Sequence, residues 1–257
     1  MWKSRSAAAA VLAAALVLSG CSSSSSSSGS SKKVTLTVLA ASSLTTIMPI
    51  LGKEFSAAHP GVTMKFEYGG SATLATLITS GAPADVFAAA APAPMQTVVT
   101  AGDADGTPAV FVRNQLVIAV GQGNPLGITS LQDLTKPGLK VVLCEATQPC
   151  GSAAVTALAA GHVTLKPVSL APDVKAALTP VELGEADASL VYLTDAISSV
   201  GQVSYVSFPE SAQAINAYPI AALKNSKNLT DAQAFVTFVE SPSALIQFET
   251  EGFLPPQ

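Results

Sequence analysis

The chain has 257 residues, with 13 Lys+Arg against 17 Asp+Glu, only 2 His, and a net charge of −4 at neutral pH. An acidic chain with 5% aromatic residues lacks the basic face and the stacking residues that nucleic acid demands, which excludes a nucleic-acid binder. With 49% hydrophobic and 12% charged residues, it has the apolar content for one large domain or two smaller ones.

Residues 1–20 read as an export signal. Lys3 and Arg5 give a basic start, and residues 7–18 form an apolar run too short to span a bilayer comfortably. The run ends in Leu18-Ser19-Gly20-Cys21. Small residues before a cysteine at the cleavage point are the pattern of a bacterial lipoprotein. There the Cys21 thiol is acylated, with palmitate among the expected chains, and holds the protein on the outer face of the cell membrane. Residues 21–33 then serve as a flexible Ser-rich tether. Losing Lys3 and Arg5 leaves 11 basic against 17 acidic side chains, a mature charge of −6.

From residue 34 the pattern alternates between strand and helix. VTLTVLA (34–40) is a buried strand. Leu44, Ile47, Met48, Leu51 and Phe55 then recur at helical spacing, and Pro49 argues that this helix starts no earlier than about Thr45 or Thr46. VTMKFEY (62–68) alternates like a strand, GGSATLATLITSG reads as a helix from Ser71 that stops at Gly81, and ADVFAAA (84–90) is the next strand. This order implies a parallel sheet with right-handed connections.

A second series begins with NQLVIAVGQGNP (114–125). LKVVLCE (139–145) is a strand and CGSAAVTALAAG (150–161) a helix; residues 173–186 form a helix broken or kinked at Pro180. Residues 188–196, 203–209 and 218–224 read as strands. The last segment, 230–253, reads as two helices, capped by Thr230 and by Ser241 with Pro242 in its first turn. The expected architecture is α/β in two lobes: residues 34–113 with 218–257, and residues 114–217.

Cys144 and Cys150 remain in the mature chain. In an exported protein two thiols this close are expected to pair as a disulfide. Two free thiols and a metal site are the alternatives, but zinc would need two more ligands, and His59 and His162 stand in no ligand spacing.

Ser43, Ser71 and Cys150-Gly151-Ser152 all fall where a strand passes into a helix. In open parallel sheets these junctions lie at the carboxyl ends of the strands, where ligands bind. Each aims unpaired N–H groups and about half a positive charge into the cleft, so several together make an anion site without a lysine. Taken singly, Ser43 and Ser71 are each better read as caps of their own helices. Donors without a base suit a fully ionised dianion, although Asp173 and Asp195 could lie near the cleft.

LTVLAASSLT, GGSATLATLITSGAPADVFAAA, PVSLAPDVKAAL and SLVYLTDA together resemble the molybdate-binding proteins of bacterial ABC transporters, from about Val34 to Phe253. The resemblance implies a two-lobed periplasmic-binding-protein-like fold of type II that closes on a tetrahedral oxyanion. It carries the ligand contacts onto Ser43, Ser71, Cys150, Val174 and Tyr192, with Ser42 and Gly151 as further candidates. A cysteine at the third position departs from the family, so a Cys144–Cys150 bridge would brace a ligand loop. Ser42 also departs, standing where alanine is common. The implied function is capture of molybdate, and of tungstate, for a membrane permease and its ATPase, by a monomer that needs no cofactor and performs no catalysis. A receptor for sulfate or another oxyanion is the rival within the binding class. A serine hydrolase is the rival outside it, but no G-x-S-x-G elbow is present and Ser43 has no evident base. A purely structural lipoprotein would leave the clustered donor loops without a purpose.

Overall fold

The computed structural model describes residues 33–257; the export signal, Cys21 and most of the serine tether lie outside the described residues. The first part of the chain runs β1 (Val34–Ala41), α1 (Ile47–Ala58), β2 (Val62–Gly69), α2 (Ser71–Thr79), β3 (Val86–Ala88), α3 (Pro92–Ala101) and β4 (Ala109–Asn114). It continues as β5 (Leu116–Gly121), β6 (Val141–Cys144), α4 (Pro149–Ala160), β7 (Ser169–Ala171), α5 (Val174–Glu182), β8 (Ala188–Tyr192), α6 (Leu193–Ser198) and β9 (Val203–Val206). Then come β10 (Asn216–Ala222), α7 (Leu229–Val239) and α8 (Pro242–Thr250).

These strands form two five-stranded sheets, ordered β2-β1-β3-β10-β4 and β7-β6-β8-β5-β9. In the first, β1 pairs in parallel with β2 and β3, while β10 runs antiparallel to β3 and β4. In the second, β6 is parallel to β7 and β8, and β5 is antiparallel to β8 and β9. The chain passes to the second sheet between Asn114 and Leu116 and returns to the first at Asn216.

β1 is almost wholly apolar because helices cover both its faces. Leu36, Val38 and Ala40 pack with Leu51 and Phe55 of α1 and with Phe235 and Phe248 of α7 and α8. Leu39 points the other way, into a cluster with Leu74 and Ile78 of α2 and Met95 and Val98 of α3. Fully burying each such side chain contributes about 1.5–3 kcal/mol. This two-sided packing fixes the carboxyl ends of β1, β2 and β3 along one edge, where the loops to the helices emerge.

Several local expectations are corrected. Residues 188–196 are not one strand. β8 ends at Tyr192, and the chain turns into α6 with Asp195 in its first turn, where a carboxylate suits the positive helix end. α5 is not broken at Pro180; it runs through that residue and ends at Glu182. The proline costs α5 one backbone hydrogen bond, the one residue 180 would give to the Ala176 carbonyl, without ending the helix. Thr230 lies inside α7, whose cap position is Asn228, whereas Ser241 does cap α8, accepting from Ala244 N at 3.3 Å. α3 and β7 went unread in the sequence. Among the described residues, no helix is long and apolar enough to cross a membrane.

Candidate functional site

The loops at the strand ends converge on one small cavity, lined by Ser42 and Ser43 after β1, Ser71 at the start of α2, Cys150 at the start of α4, Val174 at the start of α5 and Tyr192 at the end of β8. These candidates come from both sheets. Gln148 and Asp173 also line the cavity. Gly151 does not, and its part is steric: a Cβ there would lie 1.9 Å from Glu145 O. The cavity measures ≈ 10 Å³, about the space one water molecule needs, against ~300–1,000 Å³ for sites that hold organic ligands. A space this small leaves no room for an organic ligand of ordinary size.

The backbone donors follow from helix geometry, since first-turn amides have no intrahelical partner. Pro149 opens α4 without an N–H, so the Cys150 amide is the first donor there. Asp173 caps α5 by accepting from Lys175 N at 2.9 Å and Ala176 N at 3.0 Å, which leaves the Val174 amide uncapped. Cys144 and Cys150 are joined in a disulfide with a Cα–Cα distance of 5.8 Å, tying the start of α4 to the end of β6. The pairing expected from the sequence is therefore present, and the alternatives of two free thiols and of a metal site fall.

The serine hydroxyls cap no helix. Ser71 Oγ accepts from the Ala90 amide at 3.0 Å, and the cap position of α2 is Gly70. Ser43 Oγ lies 2.9 Å from the Tyr218 hydroxyl. Asn114 Oδ1 accepts from Gln115 N at 2.9 Å, so Asn114 Nδ2 is the donor to Thr194 Oγ1 at 2.9 Å and to Tyr218 at 3.4 Å. Accepting from Asn114 leaves the Tyr218 O–H free to donate to Ser43. Ser71 has its acceptor engaged and keeps its own O–H to give, and Ser43 does the same when Tyr218 is the donor.

The Tyr192 hydroxyl is buried and makes no well-formed hydrogen bond; beside it, the Tyr218 hydroxyl is already engaged with Ser43 and Asn114. Its ring meets that of Tyr218 edge to face, with centroids 5.9 Å apart. Burial pushes the Tyr192 hydroxyl well above its ordinary range, with Tyr218 and Asp195 adding to the shift. It stays a protonated donor at neutral pH. An orphaned buried hydroxyl on a cavity wall marks where a ligand atom belongs.

Asp173 is the one charged residue in the described lining, so helix ends and hydroxyls must balance any bound charge. Asp195 lies wholly buried beside Lys175, whose Nζ is 3.1 Å from Asp195 Oδ1. Burial raises the Asp195 carboxyl to about 6, against the pull of Lys175. Neither histidine lines the cavity. His59 stacks on Phe55 at 3.9 Å and bonds its carbonyl through Nδ1.

Sequence reading missed Gln148, Tyr218 and Asn114. Only Asp173, as a carboxylate directly before a helix, carried a local signal.

Comparison with known proteins gives a consistent answer. The pattern of the family "bacterial extracellular solute-binding protein" matches residues 36–254. The chain is 42% identical over 219 residues to the molybdate-binding protein ModA of Mycobacterium bovis, covering 85% of this chain and 84% of that one. Among solved structures, a substrate-binding domain of a putative molybdenum ABC transporter from Clostridium difficile matches with a TM-score of 0.65 at 29% identity, over 87% of this chain and all of that one. The periplasmic molybdate-binding protein of Azotobacter vinelandii matches with a TM-score of 0.77 at 20% identity, over 86% of this chain and all of that one, a likeness of fold. The chain belongs to the family of bacterial extracellular solute-binding proteins.

Proposed function

We propose that the protein captures molybdate, and tungstate with it, outside the cytoplasm and hands it to the permease and ATPase of an ABC importer. The observation that carries this reading is one small cavity walled by helix-start amides and serine hydroxyls, with Ser71 Oγ already engaged as an acceptor. Such a wall is rich in donors, which fits a tetrahedral dianion that brings no proton of its own. The ligand set is Ser43 and Ser71 through their hydroxyls, Cys150 and Val174 through their amides and Tyr192 through its hydroxyl, with Ser42 beside them. Asp173 is the one carboxylate in that wall, and its Oδ1 is committed to the amides of α5.

The two sheets belong to two lobes, with the crossings at residues 114–116 and at Asn216 putting residues 34–114 with 216–257 in one and 115–215 in the other. An ion that takes donors from both favours their closure. Binding needs neither cofactor nor catalysis, and the protein works as a monomer. Cys21 anchors it to the membrane through its acylated thiol; Cys21→Ala is expected to move the protein from the membrane fraction to the soluble one, and a retained variant would refute that anchor.

Calorimetric titration of the purified protein with molybdate, tungstate, sulfate and phosphate tests the central reading. Tight binding of molybdate and tungstate with weak binding of the others is expected. Preference for sulfate would make the protein a receptor for the smaller oxyanion, and preference for phosphate would overturn the argument from a donor-rich wall.

A further inference from the structure

Gln148 precedes α4 in the chain and is 3% exposed, yet its side chain is spent on the other sheet's elements. Its Oε1 accepts from the Ala72 amide at 3.1 Å and its Nε2 donates to Thr73 Oγ1 at 3.0 Å, both in the first turn of α2. Its backbone stays in the disulfide-bridged loop, donating to Glu145 O at 2.9 Å and accepting from Ser152 N at 2.9 Å. The approach is closest at Gly70, where a Cβ would lie 2.3 Å from both Gln148 Oε1 and Pro172 O. Gly70 and Gln148 line the ligand cavity alongside Ser71 and Cys150.

We propose that Gln148 is a latch that holds the cleft shut over the bound oxyanion, and so sets how long the ligand stays. This rests on the capture reading above. The Ala72 amide is a first-turn donor with no partner in its own helix. Water serves it when the lobes part; Gln148 reaches it only when they meet. The two hydrogen bonds exist in the closed state alone, so they lengthen the bound state without strengthening the open one. A carboxamide suits the task because it closes the contact without placing a charge beside the anion. Gly70 is the matching half of the device, since any side chain there would hold Gln148 and Pro172 away.

The test is a chase of radiolabelled molybdate from wild type, Gln148→Ala and Gln148→Leu, combined with hydrogen exchange at the Ala72 amide and melting of the ligand-free proteins. Losing both bonds is expected to speed dissociation by roughly tenfold, equivalent to about 1.4 kcal/mol. Association should stay nearly unchanged. The Ala72 amide should lose its ligand-dependent protection in both variants, while ligand-free Tm stays at the wild-type value. Dissociation at the wild-type rate in both variants would overturn the latch. So would faster dissociation with an equal fall in ligand-free Tm, because Gln148 would then be a plain structural residue. If wild type itself retains no molybdate, the capture reading fails and the latch falls with it; if wild type binds and the variants match it, the latch alone fails.

Discussion

Tyr192→Phe should weaken oxyanion binding and at the same time leave the ligand-free protein as stable as before, or more so. The ring is 1% exposed and packed edge to face on Tyr218, contacts that phenylalanine keeps. The hydroxyl is buried and makes no well-formed hydrogen bond. A buried polar group without a hydrogen bond costs about 1–3 kcal/mol, so its removal returns up to that amount to the ligand-free state. At roughly 2–4 °C per kcal/mol for a chain of this size, Tm should rise by a few degrees or hold. The same deletion removes one hydrogen bond to a charged ligand, worth about 1.5–3 kcal/mol. At tenfold per 1.4 kcal/mol, affinity should fall by roughly 10- to 150-fold. Calorimetry with molybdate and thermal melting of the ligand-free variant read the two effects separately. Unchanged affinity would remove Tyr192 from the ligand shell, and a clear loss of ligand-free stability would show that its hydroxyl has a structural partner.

Ser71→Ala should behave differently, because Ser71 Oγ is the acceptor for the buried Ala90 amide; binding free energy and ligand-free stability should both fall, each by about 1–3 kcal/mol, and a loss confined to either one would contradict the double role. Reducing the Cys144–Cys150 bridge should weaken binding more than it lowers ligand-free Tm, since the closed loop is short and its larger effect is to order the Cys150 amide; equal affinity before and after reduction, with two thiols titrated afterwards, would make the bridge functionally silent. Asp195 holds its proton in the fold up to about 6, against an ordinary value of 3.8, so the folded state binds more protons than the unfolded one between those values. Its contribution to stability therefore falls as pH rises through that window. The difference in unfolding free energy between wild type and Asp195→Asn should carry this slope between about pH 4 and pH 6; a flat difference would mean that Asp195 is ionised throughout.

The parts of the fold that rest on local chemistry were legible in the chain. Leu44, Ile47, Met48, Leu51 and Phe55 announced α1 by their spacing, and Ser241-Pro242 announced the start of α8. The junction residues Ser43, Ser71, Cys150, Val174 and Tyr192 were placed by resemblance as much as by pattern, and the fold brings all of them to one cavity. What stayed hidden depends on partners distant in sequence. Ser71 reads as a helix cap until Ala90 is seen donating to it from 19 residues away. The chain from Asn114 through Tyr218 to Ser43 spans both crossings between the sheets, and no window of sequence contains it. Tyr192 sits inside an apolar run that favours a continued strand; only the turn into α6, with Leu193 N bonded to Gln115 O, ends β8 at that tyrosine.

The most direct test of the account is a crystal structure of the protein grown with molybdate, with the molybdenum located by its anomalous scattering. A single strong peak is expected in the cavity between Ser43, Ser71, Cys150, Val174 and Tyr192, with the Tyr192 hydroxyl at hydrogen-bond distance from a ligand oxygen. A peak elsewhere on the protein, or a cavity without molybdenum at saturating ligand, would contradict it.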